Sequence, residues 1–408
     1  MNKAISTFID KAIPLVLELE TELTKRPAIS PVSGGEGELD KCAFLEAWLK
    51  VQGITALERY DAPDPQAKGG RRPNLVATIP GNADTKRLWI MSHLDVVPPG
   101  EISLWETDPW TVVHQDGRLI GRGVEDNQQG LTASVIAALS LVKQGIRPAH
   151  TVKLLFVADE EMGSQYGILW LLKNQNLFCP EDMVLIPDGG DSRGETIEIA
   201  EKNLLWIRFT TTGLQAHGSR PDQGINAHLA AADLALTLYT GLSQRFAEKD
   251  PLFDPDYSTF QPTKKDANVP NINTIPGEDV FYMDMRILPK YPVTTVLEEI
   301  RRLKTMIEAK YRVSITYKVE QALESRASPP DTPLVGLLSQ AVKDIYQVDT
   351  RLIGIGGGTI AAALRNASIP AVVWSRVDDT AHQPNEYAVV EHILGDAKVM
   401  AWLMLAEF

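Results

Sequence analysis

Cysteine, basic charge and long apolar runs are all scarce in this chain of 408 residues. The two cysteines, Cys42 and Cys179, are too few for a disulfide framework, which favours a reducing cytoplasm. Acidic residues outnumber basic ones by 53 to 40, and the net charge of -13 argues against nucleic acid or an anionic membrane as a partner. No uninterrupted apolar stretch approaches the roughly 18 residues of a membrane span. The sequence therefore predicts a soluble protein.

The chain is longer than a single hydrophobic core usually allows, so two domains are expected. Residues 1–202 alternate strand-like and helix-like segments, which is typical of a parallel sheet covered by helices. Residues 203–323 instead predict a small antiparallel α+β domain, apart from a polar stretch at 246–270 with little periodicity. The alternating pattern returns in residues 324–408. We therefore predict an α/β fold with helices around a mostly parallel central sheet, interrupted by a smaller α+β domain.

Five potential metal ligands lie at the ends of hydrophobic runs. In open α/β sheets the ligand crevice lies beyond the carboxyl ends of the strands, and four of the five follow segments that predict buried parallel strands. Two histidines with three carboxylates, and Glu160 as a spare acid, favour a hydrolytic centre with two metal ions. The five residues are His93, Asp126, Glu161, Asp188 and His382.

Several of these motifs also have a simpler explanation when considered alone. In HLD, Asp95 would brace the imidazole of His93, or the histidine is a core residue followed by a turn aspartate. In GRGVEDNQQG, Asp126 would bridge two cations or only cap the following helix. The three acids of DEE at 159–161 would divide metal binding and proton transfer between them, or form a solvated loop.

Three further segments are ambiguous by themselves. Asp188 in PDGG is equally typical of a turn, and His382 in DDTAHQPNE of a loop. The run GIGGGT at 354–359 lacks the G-K-[ST] ending of a phosphate-binding loop. Its backbone amides would instead hold a carboxylate, or the run is a plain tight turn. The order of the five ligand types favours the metal centre, because they complete two three-ligand sets that share one bridge.

The ordered motifs of the whole chain resemble one family of co-catalytic zinc metallopeptidases. This family includes aminoacylase, carboxypeptidase G, succinyl-diaminopimelate desuccinylase, acetylornithine deacetylase and the carnosinase-type dipeptidases. The resemblance implies a zinc-peptidase-like catalytic domain formed by residues 1–202 and 324–408, with residues 203–323 as an inserted lid and dimerisation domain. The motifs that carry the resemblance are, in order, HLDVV, GRGVEDNQQG, DEEMGS, PDGG, AHGSRP, NTIPGEDVFYMDMR, GIGGGT and AHQPNE.

The resemblance implies a role for each of the five ligands. One zinc ion would be bound by His93, Asp126 and Asp188. The second would be bound by Asp126, Glu161 and His382, so that Asp126 bridges the two. Two zinc ions are therefore the expected cofactors, with cobalt or manganese as substitutes.

The resemblance also implies roles for residues that bind no metal. Asp95 would support a metal-binding histidine, and Glu160 would be the general base. The peptide bond that follows Asp126 would be cis, as in relatives.

The inserted segment would supply groups for the substrate. His217 of AHGSRP would reach a neighbouring site across a homodimer and stabilise the oxyanion. Asn273 and Arg286 would hold the substrate, Arg286 through a bidentate grip on a carboxylate, and Gly357 would add backbone contacts. Without the resemblance, His217 is explained as a surface histidine in a turn and Arg286 as a strand-face ion pair.

Two departures from the family pattern bear on function. The bridging motif reads DNQQG where many relatives have a lysine, which changes the local charge but no ligand. Asp188 matches the family's dipeptidases and aminopeptidases, whereas deacylases and carboxypeptidases more often have glutamate there. We therefore expect hydrolysis of an amide bond in a small substrate with a free carboxylate, a dipeptide first of all. An N-acyl-amino-acid deacylase is the alternative, and a catalytically silent binding module is disfavoured because every ligand is present.

Overall fold

The computed structural model describes residues 2–408 and divides the chain into two compact units. The first unit comprises the residues up to Ile199, Ser328–Ile353 and Thr359–Phe408. The second unit comprises Ala200–Ala327 and Gly354–Gly358, so it is inserted in the sequence of the first. The predicted domain boundaries, after 202 and after 323, stand as predictions a few residues from these limits.

Helices and strands alternate along most of the chain. The helices are α1 (Lys3–Asp10), α2 (Ile13–Thr24), α3 (Leu39–Gln52), α4 (Gly130–Val142), α5 (Ile168–Asn174), α6 (Ala227–Arg245), α7 (Val293–Tyr311), α8 (Pro333–Tyr346), α9 (Ala361–Asn366) and α10 (Val390–Leu405). The strands are β1 (Leu57–Pro63), β2 (Arg71–Ile79), β3 (Ala83–His93), β4 (Val113–Gln115), β5 (Arg118–Ile120), β6 (His150–Val157), β7 (Met183–Gly190), β8 (Thr196–Glu201), β9 (Asn203–Thr212), β10 (Ala216–His217), β11 (Thr259–Lys265), β12 (Thr274–Ile275), β13 (Glu278–Ile287), β14 (Ser314–Leu323), β15 (Arg351–Ile355), β16 (Ala371–Ser375) and β17 (Tyr387–Val389).

An eight-stranded sheet runs in the order β1-β2-β6-β3-β7-β16-β8-β15. Its central strands β6, β3, β7 and β16 are parallel. Strand β2 pairs antiparallel with β1 and β6, and β8 pairs antiparallel with β16. Most residues of β6, β7 and β16 and the second half of β3 are buried, as in strands that helices cover on both faces. In register, His93 at the end of β3 lies opposite Val157 at the end of β6. The carboxyl ends of these strands therefore meet at one edge, and the predicted fold class is confirmed.

Helix α4 follows the predicted bridging segment and is almost completely buried. Its sequence, GLTASVIAALSLV, carries no charge, so the whole helix circumference can pack inside the protein. The helix begins at Gly130, where a Cβ would lie 2.2 Å from the carbonyl oxygen of Pro187. Glycine is required there because the backbone of β7, which carries Asp188, passes so close.

The second unit contains an antiparallel sheet in the order β11-β13-β9-β14. Alternate residues of β9 and β13 form a core with the apolar faces of α6 and α7, as the period-two pattern predicts. The periodicity of residues 246–270 predicts no strand, but β11 lies there. Among the strands of residues 2–408, this edge strand pairs with β13 alone. Its sequence TFQPTKK is polar and contains Pro262, so the strand carries little apolar signal.

Among residues 2–408, the helices are all too short or too polar to cross a lipid bilayer.

Glu20 of α2 is completely buried, which makes the stability of the fold depend on pH. Burial raises the pKa of Glu20 from 4.5 to about 8, against the opposing effects of Thr132 and Lys41. The unfolded chain releases this proton near pH 4.5 while the folded chain keeps it, so the free energy of unfolding falls as pH rises from about 4.5 to 8. Glu20→Gln has no proton to release, so its free energy of unfolding should not fall in this way. At pH 8 the variant should be more stable than the parent by about 1–4 kcal/mol.

Urea denaturation of metal-free parent and variant at pH 5 and pH 8 measures the effect. The stability difference between the two proteins should be small at pH 5 and large at pH 8. A difference that does not change with pH would show that Glu20 does not hold its proton in the folded protein.

Candidate metal centre

Three of the predicted ligands are placed by neighbouring strands of the central sheet. His93 ends β3, Asp188 lies near the end of β7, and Glu161 follows β6 by four residues in a short 3-10 turn. Asp159 enters this turn with a positive φ of 65°, which turns the chain sharply after the strand. The side chains of adjacent strands are thus brought to one edge because their strands are parallel.

Asp126 lies between the two predicted histidines. It follows Gly123, whose φ of 84° is left-handed, and belongs to an irregular turn at Val124–Gln129. The peptide bond from Asp126 to Asn127 is cis, as the resemblance implies. One carboxylate oxygen, Oδ1, lies 2.8 Å from Nε2 of His93, and the other, Oδ2, lies 3.0 Å from Nε2 of His382. Each oxygen of this single carboxylate therefore faces a different histidine.

The five predicted ligands form two groups that share Asp126. The ligand atoms within each group all lie within 4.8 Å of one another. In the first group Oδ1 of Asp188 lies 3.5 Å from His93 Nε2, and in the second Oε2 of Glu161 lies 3.1 Å from His382 Nε2. The groups are His93, Asp126 and Asp188, and Asp126, Glu161 and His382, which are the sets that the resemblance implies.

The hydrogen bonds of His93 leave one ring nitrogen available to a metal ion. Its Nδ1 lies 3.0 Å from the carbonyl oxygen of Asp95, which can only accept, so Nδ1 carries the hydrogen. Nε2 is then the nitrogen that faces Asp126 and Asp188, and it presents a lone pair to a metal ion once its proton is released. A neutral imidazole oriented in this way is the usual form of a metal-binding histidine.

The electrostatics of the two groups favour cations. Burial lowers the pKa of His93, but the carboxylates of Asp188 and Asp126 outweigh it and raise that pKa well above 6.5. Hydrogen bonds that His382 donates to the carboxylates of Asp126 and Glu161 raise its pKa to about 10. Burial raises the pKa values of Glu161 and Asp188, which are crowded by other acids. Divalent cations relieve this crowding, and a mixed set of imidazole nitrogens and carboxylate oxygens suits zinc, cobalt or manganese.

Asp95 contacts both sides of the site. Its carboxylate oxygens accept hydrogen bonds from the backbone amides of Glu160 and Glu161, each at 3.0 Å. Oδ1 also lies 3.5 Å from Nδ1 of His93, although the shorter contact of that nitrogen is to the Asp95 carbonyl. Asp95 therefore holds the acidic turn through two amides, in addition to the predicted support of His93.

Glu160 lies beside Glu161 in this turn and belongs to neither ligand group. Burial raises the pKa of Glu160 well above 4.5; the charge of His93 opposes that rise, and Asp188 and Glu161 add to it. A carboxyl group in such surroundings can take up a proton and release it, which is the chemistry of a general acid and base.

The sequence reasoning missed three residues that hold the site together. Asn127 donates from Nδ2 to Oδ1 of Asp188 at 2.7 Å. Glu386 accepts backbone amides from the loop that carries Asp126, and Glu125 accepts a backbone amide from the loop that carries His382. Their positions in the sequence could have identified them, because Glu125 and Asn127 are the neighbours of Asp126, and Glu386 is the last residue of the AHQPNE motif.

The four residues predicted to contact substrate all lie in the second unit, in two pairs. His217 and Asn273 are joined where the amide of Gly218 donates to the Asn273 carbonyl at 2.7 Å. Arg286 donates from Nη1 to the carbonyl oxygen of Gly356 at 2.7 Å, next to Gly357. The two groups of predicted ligands lie in the first unit, and the substrate roles of these four residues remain predictions.

The sequence and the fold are similar to those of known hydrolases. The sequence profile of Peptidase family M20/M25/M40 matches residues 89–406. An uncharacterized metallohydrolase of Methanocaldococcus jannaschii is 38% identical over 401 residues, covering 94% of this chain and 97% of the relative. A succinyl-diaminopimelate desuccinylase of Nautilia profundicola is 27% identical over 382 residues, covering 93% and 95%. The fold is also that of human carnosine dipeptidase 1, with a TM-score of 0.73, 17% identity and coverage of 98% and 97%.

Proposed function

The chain belongs to Peptidase family M20/M25/M40 and is a metallohydrolase of that family, and on this premise we propose that it cleaves dipeptides at a two-zinc centre. The observation that carries the proposal is the pair of three-residue groups that share the carboxylate of Asp126. A shared carboxylate with one oxygen towards each histidine suits two metal ions held side by side.

His93, Asp126 and Asp188 hold one zinc ion in this proposal, and Asp126, Glu161 and His382 hold the other. Zinc supplies two effects when bound: it lowers the pKa of a coordinated water and polarises the carbonyl of the scissile bond. The protein supplies the orientation of the ligands through Asp95 and Asn127.

Glu160 is the proposed general base. It takes a proton from the attacking water and returns it to the nitrogen of the bond that breaks, so that the amine leaves uncharged. Its half-buried position and raised pKa fit a group that holds a proton between these two steps.

His217 is the proposed donor to the oxyanion. Its Nδ1 accepts a hydrogen bond from the amide of Ser219 at 3.1 Å, so in the neutral ring the hydrogen is on Nε2. The side chain is accessible to solvent, and Nε2 is therefore free to donate to the carbonyl oxygen as negative charge develops on it.

Arg286 is the proposed partner of the substrate carboxylate. Its Nε and Nη2 donate to the two oxygens of Asp284 at 2.7 and 3.0 Å, and Nη1 donates to Gly356. Asp284 also accepts a hydrogen bond from Nε1 of Trp206 at 2.8 Å, which fixes the orientation of the pair. The side of the guanidinium formed by Nε and Nη2 is thus occupied, and the remaining N–H groups of Nη1 and Nη2 present a second fork to a carboxylate.

Arg286→Lys tests this role. Lysine keeps the charge but loses the planar fork, so KM for a dipeptide should rise roughly 10- to 100-fold while kcat changes much less. The same comparison with the C-terminal amide of that dipeptide is the control, because the parent's preference for the acid over the amide should shrink in the variant. An unchanged preference would assign Arg286 a structural role only.

The experiment that decides the substrate is hydrolysis of a mixed panel by the zinc-loaded protein. The panel holds dipeptides and N-acetyl and N-succinyl amino acids, and chromatography measures the released amine. Cleavage of dipeptides with a free amino terminus supports the proposal and the hint from Asp188. Cleavage of only the acylated amino acids would establish the alternative, an N-acyl-amino-acid deacylase, which the similarity to a desuccinylase favours. Chelator-treated protein is the control for metal dependence.

A homodimer formed through the second unit is part of the proposal. Exposed apolar side chains lie along α6 at a spacing of seven and three residues, with Leu229, Leu236 and Tyr239 respectively 54%, 61% and 42% exposed. Edge strand β11 lies beside this helix in the same unit. An apolar stripe of this kind is typical of a protein interface. Sedimentation equilibrium of the full chain gives the mass, and a monomer at all concentrations would contradict the dimer.

A further inference from the structure

We infer that Glu125 and Glu386 are positioning residues that lock the loop of Asp126 to the loop of His382, each by binding the backbone of the other loop. The two loops are residues 121–129, here the aspartate loop, and residues 376–386, here the histidine loop. The pair of glutamates is called the clasp. This inference deepens the proposed function, since it concerns how that metal centre is held in shape.

Glu386, at the end of the histidine loop, binds the aspartate loop. It is fully buried. Its Oε1 accepts hydrogen bonds from the amides of Glu125 and Asp126 at 3.0 and 3.1 Å. Its Oε2 accepts from the amide of Gly123 at 3.0 Å and from Nη1 of Arg122 at 2.5 Å. The amide of the bridging aspartate itself is therefore held by a residue from the other end of the chain.

Glu125, in the aspartate loop, binds the histidine loop in return. Its Oε1 accepts from the amide of Asp378 at 2.7 Å, and its Oε2 accepts from the amide and the hydroxyl of Thr380 at 2.5 and 2.7 Å. The Thr380 hydroxyl also accepts a hydrogen bond from the amide of Tyr387 at 3.1 Å. His382 follows Thr380 by two residues, so the backbone just before this ligand is held by the residue just before Asp126.

The clasp provides hydrogen-bond acceptors for the backbone amides of both loops. Neither loop is a regular helix or strand, so their amides need acceptors other than the repeating bonds of secondary structure. A carboxylate satisfies several amides at once with strong charge-assisted bonds, and Arg122 offsets the charge of Glu386. Because each loop supplies one carboxylate and receives the other, the two loops can move only together.

The consequence for the metal centre is preorganisation. Asp126 and His382 belong to segments separated by the whole inserted unit, and they meet in the second ligand group. A metal ion needs their ligand atoms at fixed separations, and residues that orient ligands typically change metal affinity by about 10- to 100-fold when they are replaced. The clasp fixes these separations before any ion binds, so it acts through the ligands and touches no metal or substrate.

The test compares Glu386→Gln and Glu125→Gln with a matched control, Asp182→Asn. Asp182 is also a buried carboxylate that accepts several hydrogen bonds, from Arg87, Trp89 and the amide of Cys179. It precedes the start of β7, away from the end of the strand that carries Asp188. The control therefore loses a similar number of bonds at a distance from the two loops.

Amide hydrogen exchange of the metal-free proteins is the first measurement. Each clasp variant should lose protection in both loops, whereas Asp182→Asn should lose it only around residues 179–183. Zinc affinity, measured by competition with a chelator, should fall by about 10- to 100-fold in both clasp variants and stay at the parent value in the control. Thr380→Val removes the hydroxyl contacts with Glu125 and with the backbone of Tyr387 but keeps the amide bond to Glu125. It should show a smaller loss in the same direction even if a glutamine variant does not fold.

Two results would overturn the inference. One is that either glutamine variant loosens a single loop and leaves zinc affinity at the parent value. The other is that the control loses as much zinc affinity as the clasp variants, which would trace the loss to general instability. No substrate is used, so a protein that cleaves nothing in the panel would refute the proposed function and leave this result standing.

Discussion

Glu160→Gln is expected to lower kcat by about 10²- to 10⁴-fold while the protein still binds its metal ions. Glutamine has the same shape as glutamate but cannot take up the proton of the attacking water. The site should accept it without distortion, because burial already raises the pKa of Glu160 and so favours the uncharged side chain. Activity is measured on whichever substrate of the panel the parent cleaves, and metal content by elemental analysis.

The control for this prediction is Glu298→Gln, the same substitution on the exposed surface of α7. It should leave both turnover and metal content at the parent values. If Glu160→Gln retains turnover within a few-fold of the parent, another group must move the proton and the assignment of the general base is wrong. If it loses metal, Glu160 is a ligand and the grouping of the carboxylates must be revised.

The meeting of the five ligands was predictable from the sequence because it depends on local patterns. His93, Glu161 and Asp188 each follow an apolar run that forms a buried strand, and parallel strands bring their carboxyl ends to one edge. The apolar runs also predict the central sheet and its covering helices. Asp126 and His382 do not lie in strands, so their place in the site was predicted only from the resemblance of the ordered motifs to the family.

The residues that hold the site in shape could not be predicted in this way. Glu125 and Glu386 act by accepting backbone amides from a loop more than 250 residues away in the chain, and no periodicity marks a side chain that binds backbone. The role of Asp95 shows the same limit. Its spacing from His93 predicts support of the imidazole, but only the fold shows that its carboxylate faces the amides of Glu160 and Glu161.

Strand β11 of the second unit could not be predicted from sequence periodicity. It lies at the edge of its sheet, and its residues from Gln261 to Lys265 are exposed and mostly polar. Its sequence therefore lacks the alternation of apolar and polar residues that a half-buried strand shows. The strands that line the core of this unit, β9 and β13, alternate strongly because one face of each is buried against α6 and α7.

Asp126→Asn is expected to abolish tight binding of both metal ions, whereas Asp188→Asn should abolish only one. Asp126 belongs to both ligand groups and Asp188 to the first alone. Asparagine offers one neutral carbonyl oxygen in place of a charged carboxylate with two, so it cannot bridge and it binds zinc poorly. Elemental analysis after dialysis against dilute zinc should therefore give about two ions per chain for the parent, about one for Asp188→Asn and close to none for Asp126→Asn.

The stoichiometry of these variants distinguishes a shared carboxylate from two separate sites. Asp182→Asn, the buried control away from the centre, should keep about two ions and so show that the loss is not caused by instability. If Asp126→Asn kept one ion at the parent affinity, one group would bind metal without Asp126. Its two oxygens would then face the two histidines only through hydrogen bonds, and a single-metal mechanism would replace the one proposed.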